Sequence, residues 1–173
     1  MAVTILISVY GDDRPGIVKS LAEVIRQQQG NWLESRLSHL GGKFAGLILV
    51  SVDDVNYESI CQNLNLLSEM TLDIRAELVD TKPQVERVSF SMEIVANDRA
   101  GIVHDITSVL GNHSVNVESL DSECDVAAMA GSTLFKSNIE GSIESLDKLE
   151  QLQRELERIT ADLMIDCTIV KDN

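Results

Sequence analysis

The chain has 173 residues, of which 44% are hydrophobic, 24% charged and 3% aromatic, with a formal charge of −14. That balance describes a soluble globular chain with aliphatic cores. The carboxylate excess, with no cluster of Lys or Arg, argues against direct binding of nucleic acid. No stretch approaches membrane-spanning length, so no membrane partner is expected.

Val3 to Val9 is short, apolar and β-branched, as a buried strand should be, and its abrupt end at Gly11-Asp12-Asp13 is unlike a secretion signal. Ile17, Val18, Leu21, Ala22, Val24 and Ile25 then fall on one face of a helix, with Pro15 in its first turn and Gly30 at its end. The segments on either side of Gly41-Gly42-Lys43 read as a β-hairpin. A second helix carries Ile60, Leu64 and Leu67, and Leu72 to Val79 alternates as a closing strand.

The order then repeats. Arg87 to Val95 alternates as a strand, and Ile102, Val103, Ile106, Val109 and Leu110 form a helix face. Two strands follow, the second within Ala128 to Ile139, joined by a loop around Cys124 and Asp125. A longer charged helix spans Ser142 to Thr160 with Ile143, Leu146, Leu149, Leu152, Leu156 and Ile159 on one face, and Leu163 to Val170 closes the set. The reading is α+β: two ferredoxin-like βαββαβ domains, residues 1–80 and 87–173, joined by a linker at 81–86, each an antiparallel sheet with two helices on one face.

The repeat is visible in the residues themselves. Asp13, Arg14, Gly16, Ile17 and Val18 recur as Asp98, Arg99, Gly101, Ile102 and Val103, an offset of 85 that is close to half the chain. Each copy sits between a strand and a helix, so the N–H groups of Gly16, Ile17 and Val18, and of Gly101, Ile102 and Val103, are placed to receive a carboxylate. Asp13 and Asp98 suit either a ligand ammonium group or a helix cap. Gly16 and Gly101 suit either close approach of a ligand or tight packing. The stretch from Gly16 to Ser35 is one residue longer than that from Gly101 to Ser119, and Ala100 stands where the first loop has Pro15, so the two loops are not expected to be equal.

These loops, with Gly30-Asn31-Trp32 and Ser114-Val115-Asn116-Val117 at the start of each second strand, resemble the ACT domain family, whose members sense small molecules and often bind amino acids. The tandem, with Leu33 to Phe44, is similar to the glycine cleavage system transcriptional repressor family. That resemblance implies an amino-acid ligand, with glycine as the candidate, and a DNA-binding protein partner. It also implies a ligand contact from Asn31 and Asn116, with a site that combines the loop of one half with the strand of the other. Asp12, and Asn97 at the matching position, would add polar contacts. A homo-oligomer in the cytoplasm is expected, with a ligand-free interaction or dimerisation module as the alternative.

No catalytic constellation stands out. His39, His104 and His113 are the histidines, and the last two fall on opposite faces of one helix, so they do not share a metal. Cys61, Cys124 and Cys167 are widely spaced and read as reduced, buried thiols. No enzyme activity, cofactor or metal is expected.

Overall fold

Alternation in the first apolar run builds the first sheet. β1 (Ala2–Asp12) turns Ile5, Ile7 and Val9 into the core and Leu6, Ser8 and Tyr10 to the opposite face. The computed structural model describes residues 1–68, 72–80, 86–126, 133–163 and 165–171. After β1 come α1 (Ile17–Gln27), β2 (Asn31–Leu40), β3 (Lys43–Asp53), a 3-10 turn, α2 (Tyr57–Ser68) and β4 (Leu72–Leu78). The second half supplies β5 (Val88–Asn97), α3 (Ile102–Asn112), β6 (Asn116–Val126), β7 (Thr133–Ile143), α4 (Leu146–Leu163) and β8 (Ile165–Lys171).

Each half is a four-stranded antiparallel sheet, ordered β2-β3-β1-β4 and β6-β7-β5-β8, so the ferredoxin-like βαββαβ fold is present twice. Contacts divide the chain into two units, Met1–Pro83 and Gln84–Asn173. Of the expected linker, residues 81–85 lie outside the described residues. Each unit has its own core. In the first, Ile5, Ile7, Ile48 and Val50 pack under Leu21, Ile60 and Leu64; in the second, Phe90, Met92 and Ile139 pack under Leu110 and Leu152. Each of these side chains contributes roughly 1.5–3 kcal/mol by leaving water.

The helices bury narrower stripes than the apolar pattern suggests. Ile17, Leu21, Val24 and Ile25 are buried, but Val18 and Ala22 are exposed, and Val103 is exposed beside buried Ile102. A helix lying on a flat sheet covers one stripe, and the next residue round points to solvent. Pro15 precedes the helix and Gly16 is its N-cap. The helix ends also differ from expectation. Gln29 N–H donates to the Arg26 carbonyl at 3.0 Å and Gly30 N–H to the Ile25 carbonyl at 2.9 Å, a Schellman pair whose left-handed residue is Gln29, not Gly30. Ser114 takes that place after α3, with Val115 N–H donating to the Leu110 carbonyl. Gly30 serves space instead, since a Cβ there would lie 3.0 Å from the Ile25 side chain and 3.2 Å from Val50.

Four sequence expectations need correction. Cys124 and Asp125 lie within β6, and residues 127–132, between β6 and β7, lie outside the described residues. Cys124 is exposed and Cys61 half-buried, not buried thiols, and the side chain of Cys167 lies outside the described residues. The two halves keep the offset of 85 into β6, since Asn31 and Asn116 both open second strands that bulge after Trp32 and Val117. The supposed extra residue is therefore absent, and the hairpins are where the lengths diverge. Ile143 ends β7 rather than opening α4, Leu146 is exposed, and the side chain of Ile159 lies outside the described residues.

His113, at the C-cap of α3, meets Glu155 of α4 at 2.7 Å with its side chain 16% exposed. Glu155→Ala is expected to destabilise the second unit by about 1 kcal/mol, read from urea unfolding.

Candidate functional site

The first loop leaves β1 at Asp12 and enters α1 through Gly16, whose φ of 96° is left-handed. Glycine adopts that conformation without strain, which accounts for the residue; a Cβ there would meet nothing within 4 Å. Tight packing is thus not its purpose. No side chain caps α1. Its first intrahelical bond runs from Ser20 N–H to the Gly16 carbonyl at 2.9 Å, so the N–H groups of Gly16, Ile17 and Val18 stand ahead of the helical ladder. Ile17 offers the site its amide alone, because its side chain is in the core. The result is a cluster of donors at the positive end of a helix, with Gly16 and Val18 exposed and Ile17 buried.

Asp13 does not cap that helix. Its N–H donates to the Gly42 carbonyl at 3.0 Å, and its carboxylate lies 3.6 Å from Nε2 of His39, near the end of β2. Asp12 pairs with Lys43, the first residue of β3, and this hydrogen bond raises the lysine above its ordinary pKa. Arg14 has no ion-pair partner among the described residues. The hairpin therefore folds its tip back on the loop, and both loop carboxylates face cationic or protonatable groups.

The second loop is built alike and finished differently. Gly101 is again left-handed at φ 87°, with open space at its Cβ and no side-chain cap on α3. Here Ile102 N–H reaches the Arg99 carbonyl at 3.4 Å, and the Arg99 guanidinium bonds Asp105 at 2.6 Å. Asp98 N–H donates to the Thr133 carbonyl at 2.9 Å. At Cys124, desolvation first, and the nearby Asp98 carboxylate next, raise the thiol above its ordinary pKa. The residue as a whole is exposed, so the carboxylate contact is what singles it out. Asn97, the last residue of β5, and Val103 are exposed beside the loop.

Asn31 and Asn116 lie apart from their own loops. Register sets Asn31 level with Thr4, about 27 Å of strand from Asp12, and Asn116 level with Ser89, at the far end of β5 from Asp98. His39, Lys43 and Cys124 stand at the loops in their stead. Sequence reading passed them over, although His39 and Cys124 share the offset of 85 that relates Asp13 to Asp98. Among the described residues no cluster of three or more His, Cys, Asp or Glu is arranged to hold a metal.

Comparison with known proteins agrees with this architecture. The ACT domain family model matches residues 3–77, nearly all of the described first unit. No curated protein matches the sequence. The crystal structure of an unknown protein from Galdieria sulphuraria superposes with a TM-score of 0.90 at 24% identity, covering 100% of both chains. A candidate glycine cleavage system transcriptional repressor superposes with a TM-score of 0.71 at 20% identity, covering 100% of this chain and 99% of its own. At these identities the two likenesses are of fold. Residues 3–77 thus match the ACT domain family, and the same fold is repeated in the second unit.

Proposed function

We propose that the chain is a non-enzymatic, amino-acid-responsive regulator with two ACT-type domains, residues 1–80 and 87–173. It would act on transcription of glycine or one-carbon metabolism through a DNA-binding protein partner, in the cytoplasm and as a homo-oligomer. The observation that carries this reading is the uncapped amide cluster of Gly16, Ile17 and Val18 beside Arg14. A ligand carboxylate bound there would accept from N–H groups at the start of the helix, aided by the helix dipole. The ammonium group of the same ligand would take Asp13 from His39, with Asp12 held by Lys43 as a second, neutralised carboxylate. In the second loop Asn97, Asp98 and the amides of Gly101, Ile102 and Val103 form the weaker counterpart, because Ile102 N–H and Arg99 are already engaged. Asn31 and Asn116 are not assigned contacts to their own loops.

The repressor likeness in fold supports the choice of glycine and of transcription as the regulated process. Titration calorimetry against glycine and the other amino acids tests the reading. Binding at one dominant site per chain is expected, and silence toward every amino acid at millimolar concentration would sink it. The alternative, a ligand-free interaction module, is favoured by one observation: Asp13 and Asp98 already have partners in His39 and Cys124.

The protein is also expected to leave duplex DNA unshifted in a gel when alone at physiological salt, because its basic residues are scattered among a twofold excess of carboxylates. Sequence-dependent, sub-micromolar binding without a partner would contradict this.

A further inference from the structure

The face of the first sheet that turns away from α1 and α2 carries an apolar strip between two charged edges. Leu6, Leu47 and Leu49 line a shallow groove of about 190 Å³ with Glu34 and Arg36, and Leu47 is 47% exposed. Antiparallel register arranges this face in rows, since residues directly opposite point the same way. One row runs Glu34, Leu49, Leu6, Glu77 across the four strands. The next runs Arg36, Leu47, Ser8, Arg75. Both edges thus carry the same order of charge, acid in one row and base in the next.

From this pattern we infer that the open face of the first sheet binds a second copy of the chain, related by a two-fold axis that crosses the strands between the two rows. Such an axis sets Glu34 over Arg36 of the second copy, Glu77 over its Arg75, and Leu49 over its Leu47, each contact occurring twice. An axis along the strands would instead set Glu34 over Glu77 and Arg36 over Arg75, like on like. The charges therefore select the antiparallel arrangement as well as the partner. Alternation of charge lets the face fit itself, with Glu34, Asp73 and Glu77 against Arg36 and Arg75. The matching face of the second sheet does not: Glu93, Asp121, Glu123 and Glu140 stand there against Lys136, and two copies would repel.

Four strands about 4.8 Å apart give a patch on the order of 20 Å across, at the small end of specific interfaces, so the dimer is weak and concentration-dependent. This surface gives the proposed homo-oligomer a location, and its test reads mass rather than ligand, so the two readings fail separately.

Sedimentation velocity on the full chain is expected to move from the 19.0 kDa monomer toward its dimer as concentration rises through the micromolar range. Arg36→Glu places like charges over Glu34 at both symmetry-related contacts and is expected to weaken dimerisation by about tenfold or more. The double exchange Glu34→Arg with Arg36→Glu restores opposite charges across the axis and is expected to recover the dimer. Both variants change exposed residues, and circular dichroism checks that the fold is kept. A chain that stays monomeric throughout, or a dimer that Arg36→Glu leaves intact, overturns the inference. So does a double exchange no better than the single one.

Discussion

Gly16→Asn is expected to abolish most amino-acid binding at the first loop while leaving the first unit folded, and Gly16→Val to lose both affinity and stability. The difference lies in the backbone. At φ 96° a β-branched residue is strained by about 1–2 kcal/mol, whereas Asn tolerates the left-handed region well. Space is not the limit, because a Cβ at this position meets nothing within 4 Å. That open space adjoins the N–H groups of residues 16–18, so a side chain there competes with a bound carboxylate for the same donors. Losing two charge-assisted hydrogen bonds costs about 3 kcal/mol, a loss of roughly a hundredfold in affinity. Gly101→Asn should change the overall affinity far less, since Ile102 N–H is already bonded to Arg99. Calorimetry with a thermal melt of each variant measures both quantities. If Gly16→Asn binds like the wild type, the helix N-terminus is not the site.

Much of the fold can be read from local pattern, and the limits of that reading have physical causes. Ile5, Ile7 and Val9 alternate because one face of the sheet is covered, and Gly41-Gly42 turns with both residues at positive φ, as a two-residue hairpin requires. Gln29 and Ser114 carry no such signal. They are held left-handed by the two hydrogen bonds of the Schellman ending, which any side chain can accept at some cost. Val18 and Val103 look like core residues by spacing and are exposed, because the width of the buried stripe depends on what the helix lies against.

The candidate site shows the same boundary. Its backbone donors follow from the place of Gly16 between a strand and a helix. Its side-chain partners do not, because His39, Lys43 and Cys124 reach the loop through antiparallel register. The same register carries Asn31 to the other end of its sheet. Of the two roles open to Asp13, ammonium partner or helix cap, the cap is not taken, and its carboxylate lies 3.6 Å from Nε2 of His39.

That hairpin also holds the glycine least tolerant of change. At Gly46 in β3 a Cβ would lie 2.7 Å from the Arg36 carbonyl oxygen, 2.4 Å from the tip of Leu37 and 3.2 Å from its Cα. The leucine tip can swing aside, but the backbone carbonyl moves only if β2 parts from β3. β2 is an edge strand held to the sheet by β3 alone, so it yields at a cost, and about 2 kcal/mol of overpacking strain is expected for Gly46→Ala. The melting point of the first unit should fall by about 8–16 °C at 4–8 °C per kcal/mol, while the second unit, with its separate core, should melt as before. Two other glycines set the scale. Gly141→Ala should cost less, because its closest contact is the Asn116 carbonyl at 3.0 Å. Gly111→Ala, inside α3 with open space around it, should stabilise by about 0.5–1 kcal/mol through its effect on the unfolded chain. The strain at Gly46 also reaches the loop, since β2 and β3 carry His39 and Lys43 to Asp13 and Asp12. Gly46→Ala should therefore alter affinity for an amino acid as well as stability, without touching any residue that contacts the ligand. Scanning calorimetry of the three variants decides the matter: a Gly46→Ala protein that melts with the wild type would mean that β2 is not held against β3 as closely as its register implies.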